Sequence, residues 1–179
     1  KKERKQQHDP DMTDVGDPQP ADTVGWKVGR EGPVEVELFE SDTAAVEAVV
    51  GEGAEGTCSL AISGNKIEGE LSDNLIVKAY RMLSADHILP HINFNLEKHI
   101  PSQAGLGGGS SDATYTLRLL NKLCQLNLNS ATLHQYAVRL GADCAFFVTA
   151  TPAFATGIGD ILEPMNAECA HLHGMYLLI

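Results

Sequence analysis

Basic residues are scarce in this chain: Lys and Arg number 13 against 24 Asp and Glu, a formal net charge of -11 in 179 residues. A general nucleic-acid binder needs a basic face, so no nucleic acid is expected as a partner. A small phosphorylated ligand is not excluded, because a local nest of N–H donors binds an anion even on an acidic protein. Long apolar runs are missing too; none approaches the ~20 residues of a membrane-spanning helix, and no membrane partner is expected. The opening KKERKQQHDPDMTD is basic but has no apolar stretch behind it, unlike a secretory signal. The cysteines are Cys58, Cys124, Cys144 and Cys169, and none forms a CxxC pair. That spacing fits neither a zinc site nor a dense disulfide framework, and reduced thiols in a cytoplasmic protein are the expectation. His87, His91 and His99 cluster in sequence, as do His171 and His173, without partners at metal-ligand spacing. They read as surface histidines, and the sole tryptophan, Trp26, decides nothing.

What is present suffices for one domain with a core, since 43% of the residues are hydrophobic. Residues 1–32 are polar, rich in Asp and Pro and without periodicity, which predicts a disordered or atypical segment. Alternation in PVEVELFE (Pro33 to Glu40) predicts a half-buried strand. Asp42 to Val50 reads as a short helix, and CSLAISG (Cys58 to Gly64) as a strand. Ser72 to Ala85 carries an apolar stripe of Leu75, Ile76, Ala79, Tyr80 and Leu83, which predicts a helix capped by Ser72 or Asp73. HINFNLEK (His91 to Lys98) alternates with Ile92, Phe94 and Leu96 facing inward. Helices are predicted over Ser110 to Leu123 and from a Ser130 cap to Leu140, the second ended by Gly141. CAFFV (Cys144 to Val148), PAFAT (Pro152 to Thr156) and GMYLLI (Gly174 to Ile179) read as strands. Strands and helices mix without strict βαβ alternation, so the expected class is α+β.

Between a strand and a helix stands IPSQAGLGGGSSDA, from Ile100 to Ala113. Glycine permits positive φ and lets a ligand approach the backbone. The first N–H groups of a helix lack internal partners and sit at its positive end, so this order builds an anion site suited to phosphate. Ser110 and Ser111 add hydroxyls, and either can ligate a magnesium ion bridging phosphates. No Lys-[Ser/Thr] pair completes a Walker A loop, Ser110 replaces the last glycine of G-x-G-x-x-G, and the nucleophile elbow is absent. A crowded glycine turn that binds nothing remains the alternative on composition alone.

The string P-x-x-A-G-L-G-G-G-S-S-D-A, Pro101 to Ala113, resembles the phosphate-binding motif of the GHMP kinases. DNLIVKA (Asp73 to Ala79), LGADCAFF (Leu140 to Phe147) and FATGIGDILEP (Phe154 to Pro164) resemble segments of the same family in the same order, over about Leu60 to Ile179. The resemblance implies a GHMP-kinase N-terminal-domain-like two-layer sandwich over residues 33–179, with the family's C-terminal domain absent. It implies ATP and Mg2+ as cofactors. Pro101, Ala104, Gly105, Leu106, Gly107, Gly108, Gly109, Ser110 and Ser111 would then hold the phosphates, with Ser110 on the metal. Asp143 would orient the attacking hydroxyl or take its proton. Read without the family, Asp143 is a turn aspartate. Asn74 is carried over as a nucleotide contact, with helix capping as its alternative. Lys98 would screen phosphate charge, or else is an exposed lysine at a strand end. Asp112 would serve as a ligand or stabilise the first turn of its helix. The implied activity is phosphorylation of a hydroxyl on a cytidine-diphosphate-linked methylerythritol in isoprenoid biosynthesis. A mevalonate or homoserine acceptor, or a non-catalytic nucleotide-binding fragment, is the alternative.

Two family features are missing from residues 1–40: the opening P-A-K-[IL]-N strand, whose lysine neutralises charge, and the D-G-Y-H motif, whose Tyr and His hold cytidine. Gln103 stands where the family loop has a glycine. On that reading, weak catalysis is expected of this stretch by itself.

Overall fold

The computed structural model describes residues 36–40, 44–102 and 104–165. The segment 1–32, Trp26, Gln103, Cys169, His171, His173 and the strand expected over Gly174 to Ile179 lie outside them. In chain order the elements are β1 (Val36–Glu40), β2 (Ala44–Val50), β3 (Cys58–Gly64), α1 (Leu75–Asp86), β4 (Ile92–Lys98), α2 (Gly108–Leu123), α3 (Ser130–Leu140), β5 (Ala153–Thr156) and β6 (Ile161–Pro164). The first four strands form one sheet in the order β1-β2-β4-β3, and β5 and β6 form a separate hairpin. β3 and β4 run parallel, joined through α1, while β1–β2 and β2–β4 are antiparallel. The class is the expected α+β.

Register places the core. Val46 lies opposite Leu96, Ala48 opposite Phe94 and Val50 opposite Ile92. Val46, Ala48, Ile92, Phe94 and Leu96 are buried in one cluster with Ile76, Ala79, Tyr80 and Leu83 of α1 and Leu117 and Leu120 of α2. Each of the Val, Ile, Leu and Phe side chains among them contributes about 1.5–3 kcal/mol of burial free energy. The Tyr80 ring meets Phe94 edge-on at 6.1 Å, and its hydroxyl donates to the Pro90 carbonyl at 2.7 Å. Burial pushes the Tyr80 phenol up to about 12.

Four expectations need correction. Where a helix is expected over Asp42 to Val50, the described residues, Ala44–Val50, form a strand whose Ala44, Val46 and Ala48 are buried in alternation. Its alanines carry high helix propensity, but pairing on both edges overrides a weak local preference. CAFFV is not a strand. It lies in two 3-10 turns, Ala142–Cys144 and Phe146–Val148, whose Cys144, Ala145 and Val148 amides bond carbonyls three residues back. A short apolar run has no periodicity to separate the two outcomes. The cap of α1 is neither Ser72 nor Asp73, which belong to a 3-10 turn (Leu71–Asp73), but Asn74, whose Oδ1 accepts from the Ile76 amide at 2.9 Å. Asn129 rather than Ser130 caps α3, accepting from the Thr132 amide. The other elements fall within a few residues of expectation, and α2 begins two residues early, at Gly108.

Candidate functional site

β4 delivers the chain to the loop and α2 receives it. Gly105 and Gly107 sit at φ +74° and +67°, a left-handed conformation that side chains rarely adopt, and Gly107 caps α2. The first helical amide bond joins the Ser111 N–H to the Gly107 carbonyl at 2.8 Å. The amides of Gly108, Gly109 and Ser110 precede that bond, so they present donors at the positive end of a 16-residue helix.

A cleft of ≈ 260 Å³ opens at this end, lined by Pro101, Ala104, Gly105, Leu106, Gly107, Gly108, Gly109, Ser110 and Asp143, with Leu75 and Ile100 as apolar walls. Thus the loop and Asp143, expected together, are brought together. Asp143 lies in the turn that follows Gly141 and is exposed. Its carboxylate makes no hydrogen bond or ion pair among the described residues, so it is available to a ligand. A second cavity adjoins the first and shares Leu75 and Gly109 with it. It holds Asn74 and Lys98, together with Asp112, Asp73 and Ser102. A third opens on the far side of Asp143, walled by Phe146, Phe147, Leu162 and Gly159.

Ser111 is 3% exposed and lines none of these cavities. Burial pushes the Cys144 thiol above its ordinary value, against the opposing influence of the Ser110 and Thr114 side chains, and so keeps it neutral. Lys98 is not an exposed strand-end lysine. It is 2% exposed, and its Nζ donates to Asp112 Oδ2 at 2.6 Å. The sequence reading left Asp112 open, and here its side chain is buried in that pair while Oδ1 has no hydrogen-bond partner. Burial raises the Asp112 carboxyl above its ordinary value; the Lys98 hydrogen bond and charge oppose this and do not cancel it. The signal for the pair was present: Lys98 continues the inward alternation Ile92, Phe94, Leu96, and an inward lysine needs a partner. The ring of Phe147, which the sequence reading did not single out, packs on Gly107, where a Cβ would stand 3.0 Å from Phe147 Cζ.

Among the described residues no group of three or more His, Cys, Asp or Glu side chains is placed to hold a metal ion by itself. The free amides at the start of α2 suit an anion, while at Gly107 and Gly108 the room for a side chain is already taken, a Cβ meeting Phe147 Cζ at 3.0 Å and Lys98 Nζ at 2.9 Å. No helix among the described residues is long and apolar enough to cross a membrane.

A glycine loop opening a buried helix and a carboxylate across the cleft lie on an α+β scaffold, and residues 74–151 match the GHMP kinases N terminal domain. Over those residues the chain is similar to that family. It is 50% identical over 135 residues to the 4-diphosphocytidyl-2-C-methyl-D-erythritol kinase of Bacteroides thetaiotaomicron, a match covering 75% of this chain and 48% of the relative. The enzyme of the same name from Porphyromonas gingivalis is 40% identical over 124 residues, or 68% of this chain and 45% of the relative. The crystal structure of a 4-(cytidine 5'-diphospho)-2C-methyl-D-erythritol kinase superposes with a TM-score of 0.53 at 30% identity, covering 74% of this chain and 45% of that one. The chain spans about half the length of the curated relatives it matches.

Proposed function

We propose that this chain is the nucleotide-binding part of an ATP-dependent kinase that phosphorylates a hydroxyl of 4-(cytidine 5'-diphospho)-2-C-methyl-D-erythritol, in isoprenoid biosynthesis. The observation that carries the reading is the single cleft shared by the α2 amides and Asp143. ATP with Mg2+, when bound, supplies the phosphoryl group and neutralises charge on it. The amides of Gly108, Gly109 and Ser110 hold phosphate oxygens, and the Ser110 hydroxyl is the protein's ligand to magnesium. Asn74 and Lys98 face the nucleoside end in the adjoining cavity. Asp143 orients the acceptor hydroxyl and takes its proton. The acceptor's identity rests on the relatives' names together with their 40–50% identity to this chain. A cytoplasmic location agrees with the free Cys58 and Cys144 thiols.

The test is a coupled ADP-release assay with the cytidine-linked acceptor beside mevalonate and homoserine. Transfer to the first alone supports the proposal, and transfer to either of the others instead rejects this acceptor. The phosphate cradle is tested separately at Gly109. A Cβ there would lie 3.7 Å from Leu75 Cδ1, ordinary contact, so the protein tolerates it, yet the residue lines both cavities. Gly109→Val should keep the wild-type melting temperature and weaken ATP binding by roughly tenfold or more, about 1.4 kcal/mol. Equal affinity in a titration with a fluorescent ATP analogue would remove the loop from the nucleotide site.

A further inference from the structure

Two links join the segment from Ala142 to Val148 to the phosphate end of α2. One is described above: the Phe147 ring on Gly107. The second comes from a residue the proposed chemistry does not use. Thr114, 1% exposed in the second turn of α2, donates its hydroxyl to the Cys144 carbonyl at 2.8 Å, across 30 residues of chain.

A buried threonine inside a helix ordinarily bonds the carbonyl four residues back, as Thr116 does to Asp112 at 2.7 Å. Thr114 has that option too, with the Ser110 carbonyl at 3.0 Å. Its hydroxyl carries a single proton, and the shorter contact reaches out of the helix to the turn. The accepting carbonyl belongs to the residue next to Asp143. That turn is three residues long, and its own amide bonds, 3.1 Å at Cys144 and 3.2 Å at Ala145, are long ones. It therefore depends on what it is fastened to.

We infer that Thr114 is a positioning residue, which sets the distance between Asp143 and the phosphate-binding end of α2 by anchoring the Cys144 carbonyl. The inference rests on the proposal that Asp143 meets the acceptor hydroxyl. Without the hydroxyl the carbonyl loses its buried donor and the turn is free to shift, and a displacement near 1 Å at a reacting group costs on the order of 10²-fold in rate.

Thr114→Val keeps the β-branched shape and removes the hydroxyl; Thr114→Ser keeps the hydroxyl and removes the methyl. Two readouts are made on the whole chain: steady-state kinetics with ATP and the cytidine-linked acceptor, and hydrogen exchange at the Cys144 and Ala145 amides. Thr114→Val should lower kcat roughly 10- to 100-fold, with the KM for ATP within about twofold of wild type. Exchange at both amides should quicken by about tenfold or more while the β4 amides stay unchanged. Thr114→Ser should restore both quantities to within about threefold. Wild-type kcat and exchange in Thr114→Val overturn the inference, as does a Thr114→Ser variant equally impaired, since the methyl and not the hydroxyl would then matter. If the wild-type chain transfers no phosphate, exchange alone decides the anchor: faster exchange in Thr114→Val upholds it and unchanged exchange overturns it.

Discussion

Asp143→Asn should lower turnover of the acceptor by about 10²–10⁴-fold, the range for losing a positioned base. Asparagine has the same shape and still hydrogen-bonds, but it takes no proton and carries no charge. Asp143 is exposed at the lip of the cleft and engages no partner among the described residues, so its replacement orphans nothing. The melting temperature should stay at the wild-type value. ATP affinity should stay level or rise slightly, because a negative charge has left the neighbourhood of the phosphates. Loss of kcat with retained ATP binding and retained stability is therefore the expected signature, read by ADP release, nucleotide titration and thermal melting of one preparation. Turnover unchanged by the substitution would take Asp143 out of the reaction. A loss of ATP binding in parallel with kcat would make it a nucleotide ligand instead.

The parts of this molecule that were legible in the sequence are those where local chemistry and tertiary structure agree. AGLGGGSSDA could be read because positive φ at Gly105 and Gly107 and a free helix end are local requirements, and the loop meets them. β4 was legible because Ile92, Phe94 and Leu96 alternate and are buried as alternation demands. DTAAVEAVV misled because alanine favours a helix, whereas pairing with β1 and β4 is a non-local cause that no window along the chain contains. CAFFV misled in the opposite direction. Its aromatics favour a strand, yet no strand among the described residues pairs with it, and Phe146 and Phe147 instead stack edge-on at 5.3 Å while Phe147 covers Gly107. The candidate site divides the same way. Its loop and Asp143 were visible as motifs. Lys98, Asp112 and Thr114 owe their positions to contacts between elements, and only the inward place of Lys98 on its strand hinted at one.

That inward lysine leads to the largest expected effect on stability. Lys98→Met removes the ammonium from a pair whose side chains are 2% and 5% exposed, and leaves Asp112 with neither oxygen partnered. Breaking a buried ion pair from one side costs about 3–5 kcal/mol. For a chain of this size each kcal/mol moves the melting temperature by about 2–4 °C, so a fall of roughly 6–20 °C is expected at neutral pH. The pH dependence has a definite sign. Burial already holds the folded Asp112 carboxyl above the ordinary 3.8, so the folded state binds its proton more tightly than the unfolded state does. The stability from this group is then fully present below the unfolded pKa, and it is lost as pH rises through the folded one. Removing Lys98 deletes both influences that pull the carboxyl down, which widens that window upward. The Lys98→Met defect should therefore shrink as the pH is lowered below neutrality and Asp112 takes up its proton. Asp112→Asn should abolish the slope due to this group. The double variant Lys98→Met/Asp112→Leu, which leaves no charge behind, should regain most of the loss because two apolar side chains satisfy each other. Thermal melts of the four proteins at several pH values decide the matter. A Lys98→Met protein as stable as wild type at neutral pH, or a double variant no better than the single one, would show that the pair does not hold β4 to the second turn of α2.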